Sequence, residues 1–187
     1  SDLAADTTHG FTMTVTSEGD STQTQTQEFS AAVLLCYDLS VTVNKATDSA
    51  GPGETIPFQL IITNLGNDVD YVNLPTLTLP SGWIGTYTDS TFTLEPSESK
   101  AIYLNVKVPE NVLGGDYITI DVTVISDQTG QSETVTFTVT VNQVYDISVE
   151  YYYNASMGST SIQQGMAKQL KFNVTNNGNG NDNIAIA

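Results

Sequence analysis

The 187-residue chain contains no arginine, five lysines, one histidine (His9), one cysteine (Cys36) and one tryptophan (Trp83). Set against 21 acidic residues, so few bases leave a formal charge of −16 and almost nothing to neutralise phosphate, which excludes nucleic acid as an expected partner. A serine or cysteine nucleophile would need a histidine base, and the only histidine, His9, lies in the N-terminal tail. The sequence shows no Cys/His zinc set, no glycine-rich phosphate loop leading into a helix and no acidic pair beside an aromatic subsite. Catalysis by this segment is therefore not expected. The longest apolar run, Ala31 to Tyr37, falls well short of the roughly 18 residues of a membrane helix, so no membrane contact is expected from it. Ser1 opens into polar sequence, and a secretion signal is expected to be removed or to lie outside this stretch.

What the chain does have is threonine, 27 residues of it, largely at alternate positions as in Thr134, Thr136, Thr138 and Thr140. Alternation of this kind belongs to strands, and no helical period competes with it. An internal repeat organises the rest. Tyr37-Asp38-Leu39-Ser40-Val41 recurs as Tyr145-Asp146-Ile147-Ser148-Val149 at an offset of 108, and Thr63-Asn64-x-Gly66-Asn67 recurs as Thr175-Asn176-x-Gly178-Asn179 at an offset of 112. Phe29 falls on Phe137 and Val33 on Val141, while Phe11, Met13 and Val15 resemble Ile118, Ile120 and Val122 at an offset of 107.

The repeat divides the chain into residues 1–36, the closing strands of one copy, residues 37–144, a complete copy, and residues 145–187, the opening strands of a third. Within the complete copy the expected core follows period two: Leu39, Val41 and Val43; Ile56 to Ile62; Ile102 to Val108; Ile118 to Val124; Val135 to Val141. Turn residues at Gly51-Pro52-Gly53, Leu65-Gly66-Asn67, Pro80-Ser81-Gly82, Gly114-Gly115 and Gln128-Thr129-Gly130 separate the strands. The expected fold class is all-β, tandem immunoglobulin-like Greek-key sandwiches, one of seven strands complete and two partial. Two or three strands alone leave one face without a partner sheet, so the flanking pieces are expected to be completed by further chain or by neighbouring subunits.

The succession Pro52-Gly53-Glu54, Phe58 to Asn67 (FQLIITNLGN), Leu79-Pro80-Ser81-Gly82-Trp83, Leu94-Glu95-Pro96-Ser97-Glu98-Ser99, Val106-Lys107-Val108-Pro109-Glu110 and Gly114-Gly115-Asp116-Tyr117 resembles the immunoglobulin-like domains of bacterial and archaeal surface proteins. It is similar to the cell-adhesion-related CARDB group and to the domain associated with NPCBM carbohydrate-binding modules. The resemblance implies spacer, adhesion or stalk modules of large secreted or cell-surface proteins, and it carries over no catalytic residues.

Several residues have a structural and a functional reading. Asn64 would form an Asx turn while Gly66 and Asn67 accept positive φ, closing two neighbouring strands. Cys36 has no partner for an internal disulfide and aligns with Val144, so it is expected to be a buried small hydrophobe. Trp83 would plug the end of the core or offer a sugar platform, and Tyr117 would form a tyrosine corner. Asn67, Asp68 and Asp70 carry hard oxygen ligands suited to calcium or belong to a solvated turn. Tyr151, Tyr152 and Tyr153 place aromatic faces on both sides of a strand, for core and for a glycan or a neighbouring domain. Asn154 and Asn173 fit the N-glycosylation pattern. The expected function is a non-catalytic structural or adhesive segment of an extracellular protein, a spacer, surface-layer or filament component, with an acidic, arginine-free composition that fits an archaeal surface. The alternative is a carbohydrate-binding accessory module of a secreted hydrolase or protease.

Overall fold

The computed structural model describes residues 5–151, 164–167 and 169–186, and all of their regular structure is β. Among the described residues no helix is long and apolar enough to cross a membrane. An N-terminal hairpin pairs β1 (Thr8–Thr16) with β2 (Thr24–Ala32). Nine strands then build a two-layer sandwich: β3 (Leu39–Val43), β4 (Thr47–Ala50), β5 (Thr55–Asn64), β6 (Asp70–Asn73), β7 (Ile84–Tyr87), β8 (Thr91–Leu94), β9 (Ser99–Lys107), β10 (Tyr117–Ser126) and β11 (Ser132–Val141). A C-terminal hairpin pairs β12 (Ile147–Tyr151) with β13 (Phe172–Asn176).

One layer runs β3-β5-β9-β7 and the other β4-β11-β10-β6-β8, the immunoglobulin-like arrangement in which consecutive strands cross between sheets. All strand pairs are antiparallel except β4 with β11. Strict alternation along β5, with Ile56, Phe58, Leu60, Ile62 and Asn64 inside, sets its register between β3 and β9. Pro57 is tolerated there because β3 reaches only Leu60, so the missing N–H faces no partner strand on that side. The core closes across the layers, with the Phe58 and Phe137 rings 4.8 Å apart and tilted by 44°.

Every apolar position expected from the period-two reading packs into this core, with Val41, Val43, Ile118 and Val135 at its half-buried rim. Ala50, Val72 and Leu94 also belong to it but show no readable alternation, because β4, β6 and β8 have only four residues each, and Leu74 joins it from the loop directly after β6. The sandwich has nine strands where seven were expected. The first strand breaks at Asn44–Ala46 and crosses from one sheet to the other as β3 and β4, and short β7 and β8 each extend a different sheet.

Three further expectations are corrected. Phe11 pairs with Phe29 as Ile120 pairs with Phe137, so β1 aligns with β10 at an offset of 109, two residues from the expected register and on the same face. Tyr117 stands 68% exposed and forms no buried corner, since it lies on the outer face of β10. Cys36 is exposed, because only its backbone is used.

At Tyr87 the phenol hydroxyl is buried with no hydrogen-bond partner among the described residues, and burial pushes its pKa from 10.0 up to about 12. The native state therefore holds this proton more tightly than the unfolded chain, and the associated stability is complete below pH 10 and lost as pH rises towards 12. Tyr87→Phe removes the unpaired hydroxyl at little or no cost. The expected result is a melting temperature that falls less between pH 10 and 12 in Tyr87→Phe than in the parent, read by circular dichroism. Parallel declines in both proteins would exclude Tyr87 as the source.

Candidate functional site: two linker clamps

The recurring Thr-Asn-x-Gly-Asn residues sit where a flanking hairpin joins a Tyr-Asp linker. The loop after β5 does not close a hairpin, since β5 and β6 lie in different sheets. It turns instead against the incoming chain. The Gly66 N–H donates to Asn64 Oδ1 at 2.8 Å, the expected Asx turn, while Asn64 Nδ2 donates to the Asp68 and Leu94 carbonyls. This turn presents Asn67 to the linker as a two-sided clamp. Cys36 N donates to Asn67 Oδ1 at 2.8 Å, Asn67 Nδ2 donates to the Leu34 carbonyl at 2.9 Å, and Asn67 N donates to the Cys36 carbonyl at 3.0 Å.

The same bonds occur at the other end of the sandwich. Val144 N donates to Asn179 Oδ1 at 2.6 Å, Asn179 Nδ2 to the Asn142 carbonyl at 3.0 Å, and Asn179 N to the Val144 carbonyl at 3.2 Å. Gly178 N completes the Asx turn on Asn176 Oδ1, and Asn176 Nδ2 reaches the Gly180 carbonyl. Leu65 N on the Asp38 carbonyl is matched by Asn177 N on the Asp146 carbonyl. One further bond ties each clamp to the element before the linker: Ala5 N donates to the Asn67 carbonyl and Gly114 N to the Asn179 carbonyl. The residue that follows each of these donors has a positive φ, 56° at Asp6 and 90° at Gly115.

Neither glycine of the motif has a positive φ, contrary to expectation. The requirement is for space. A Cβ on Gly66 would stand 2.4 Å from the Cys36 carbonyl oxygen, and one on Gly178 would stand 2.3 Å from that of Val144. Only glycine lets the linker backbone lie against the turn.

The expected calcium ligands lie in this loop and at the start of β6, each with at least one hydrogen bond within the protein. Both polar atoms of the Asn67 side chain serve the linker. Asp68 Oδ1 accepts from Val69 N, and its carboxylate lies near the Tyr37 phenol. Partial burial first, and then the Asp68, Asp70 and Asp6 charges, raise the Tyr37 pKa. Asp70 is fully buried; Oδ1 accepts from Ser126 Oγ at 2.8 Å and Oδ2 has no partner among the described residues. No three His, Cys, Asp or Glu side chains among the described residues are placed to share a metal ion.

Of the aromatic candidates, Tyr151 stacks against Phe172 with centroids 5.5 Å apart, while Tyr152, Tyr153 and Asn154 lie outside the described residues. Trp83 is half-buried against the core. Asn173 is exposed in β13, opposite Glu150. Asn67 was legible as a turn former and as an oxygen ligand; its recurrence as Asn179 within Thr-Asn-x-Gly-Asn was the only sequence signal for the clamp, since Asn67 lies 31 residues from Cys36 and Asn179 35 residues from Val144.

No family model matches the chain, and no curated protein matches it. Solved structures share the β-sandwich. A family 123 glycoside hydrolase from Clostridium perfringens aligns at 11% identity and a TM-score of 0.45 over 56% of this chain and 27% of that one. A FixG-related protein from Vibrio parahaemolyticus aligns at 14% identity and 0.43 over 56% and 95%. Domains 4 and 5 of the S-layer protein SbsC align at 16% identity and 0.37 over 63% and 59%. The chain thus spans about a quarter of the length of the hydrolase.

Proposed function

We propose that this chain is a non-catalytic segment of an extracellular surface protein, a stiff spacer of tandem immunoglobulin-like repeats. In this reading residues 1–36 close one repeat, residues 37–144 form a complete one and residues 145–187 open the next. The observation that carries it is the duplicated clamp: the same asparagine, glycine and linker carbonyls meet at both ends of the sandwich. A junction held by side-chain and backbone bonds in fixed register passes one orientation from repeat to repeat, which is how a series of sandwiches becomes a stalk. The negative surface supports the same reading. Lys45, Lys100 and Lys107 pair locally with Asp48, Asp89 and Glu110, so these bases gather into no anion-binding patch.

Backbone amide relaxation tests the clamp. Each bond contributes about 0.5–1.5 kcal/mol net, so removing the Asn67 side chain weakens its junction without unfolding the sandwich. In the parent, β1 and β2 are expected to tumble with the sandwich. In Asn67→Ala they should move independently while β12 and β13 stay coupled, and Asn179→Ala should reverse the pattern. Hairpins that already tumble independently in the parent would defeat the proposal.

A further inference from the structure

Both terminal hairpins expose an apolar face. On β1 and β2 it comprises Phe11, Met13, Val15 and Phe29; on β12 and β13, Ile147, Val149, Tyr151, Phe172 and Val174, with Leu170 beside them. Each residue has a counterpart whose partner is known within this same molecule. The pairing of Phe11 with Phe29 repeats that of Ile120 with Phe137 in β10–β11. The register of β12–β13, Ile147 with Asn176 through Tyr151 with Phe172, repeats that of β3–β5, Leu39 with Asn64 through Val43 with Leu60. In the sandwich those two pairs belong to opposite sheets and close on each other, Phe137 from one against Phe58 from the other. Phe29 stands in the place of Phe137, and Leu170 in the place of Phe58.

We propose that the two hairpin faces are complementary halves of one interface, and that the β12–β13 hairpin of one copy of this chain docks on the β1–β2 hairpin of another. The inference rests on reading the hairpins as parts of the repeat. The apolar faces carry no carboxylate or ammonium group, since Glu150 and Lys171 alternate onto the outer side, so contact between them is spared the repulsion between chains of charge −16. The completed sandwich supplies the geometry: sheet against sheet, rings from both layers interleaved. Contact between different faces of identical chains is heterologous and leaves a dimer with one free face of each kind, so the product grows head to tail beyond the dimer. Two short hairpins bury less than about 1,200 Å², the low end for specific contacts, so association is weak and depends on concentration.

Sedimentation of the full chain from micromolar to millimolar concentration, at low and high salt, tests this. The mass is expected to rise past the dimer, and more steeply at 1 M salt, where the screening length shrinks to about 3 Å. Phe29→Glu and Val149→Glu, each confirmed by an unchanged melting curve of the sandwich, should each be monomeric. Their equimolar mixture should give twice the monomer mass and nothing larger, because each retains the face the other has lost. A parent that stays monomeric, a single variant that still dimerises or a mixture that stays monomeric would overturn the docking. The relaxation test of the clamp is independent of these outcomes: rigid junctions in a monomeric chain would end this inference and leave the spacer reading standing.

Discussion

Phe137→Ala is expected to destabilise the sandwich by about 3–5 kcal/mol, the range for truncating a buried aromatic side chain. The ring is fully buried and lies 4.8 Å from that of Phe58, which reaches it from the opposite sheet. Truncation leaves a gap that strands paired on both sides cannot close, since β11 is held by β10 and by β4. For a domain of about 100 residues each kcal/mol corresponds to about 4–8 °C, so the melting temperature should fall by more than 10 °C. The control lies in the same chain. Phe29 holds the equivalent place in β2 but is 51% exposed, and Phe29→Ala at low protein concentration should cost less than about 1 kcal/mol. Urea unfolding of both variants reads the contrast directly. Equal losses would mean that the N-terminal hairpin is already covered by an apolar partner.

Gly66→Ala is expected to cost about 1–3 kcal/mol, more than a surface glycine normally does, and to release the linker. The added Cβ would meet the Cys36 carbonyl oxygen at 2.4 Å and Tyr37 Cα at 3.0 Å. Both are backbone atoms, so the collision cannot be relieved by a side-chain rotation, and the chain between the hairpin and β3 must move away. Hydrogen exchange at the Cys36 and Asn67 amides should accelerate, while the amides of β5 and β9 keep their protection. Gly115→Ala separates this effect from backbone strain, because Gly115 has a φ of 90° and nothing within 4 Å of the added carbon. Its cost should be about 1 kcal/mol with no change at the linker. If both substitutions release the linker alike, close packing is not what glycine contributes to the clamp.

How far the sequence discloses this protein can be judged element by element. β5, β9, β10 and β11 are nine or ten residues long and alternate throughout, so their inner faces were readable as Phe58, Leu104, Val122 and Phe137. The four-residue strands were not, because burial of Val72 and Leu94 depends on which long strand each short one pairs beside. The recurring Asn67 was visible as a residue but not as a clamp. Its hydrogen-bond partners are the backbone of Leu34 and Cys36, and carbonyl and amide groups carry no side-chain signature.

The sequence by itself determined the β class, the internal repeat, the faces of the long strands and the scarcity of basic side chains, since each follows from residue type and period alone. Tertiary structure alone decided the nine-strand count, the exposure of Cys36 and Tyr117, and the reason for Gly66. These depend on where a linker or a sheet edge lies in space, and contacts between residues distant along the chain are set by packing, which no local period encodes.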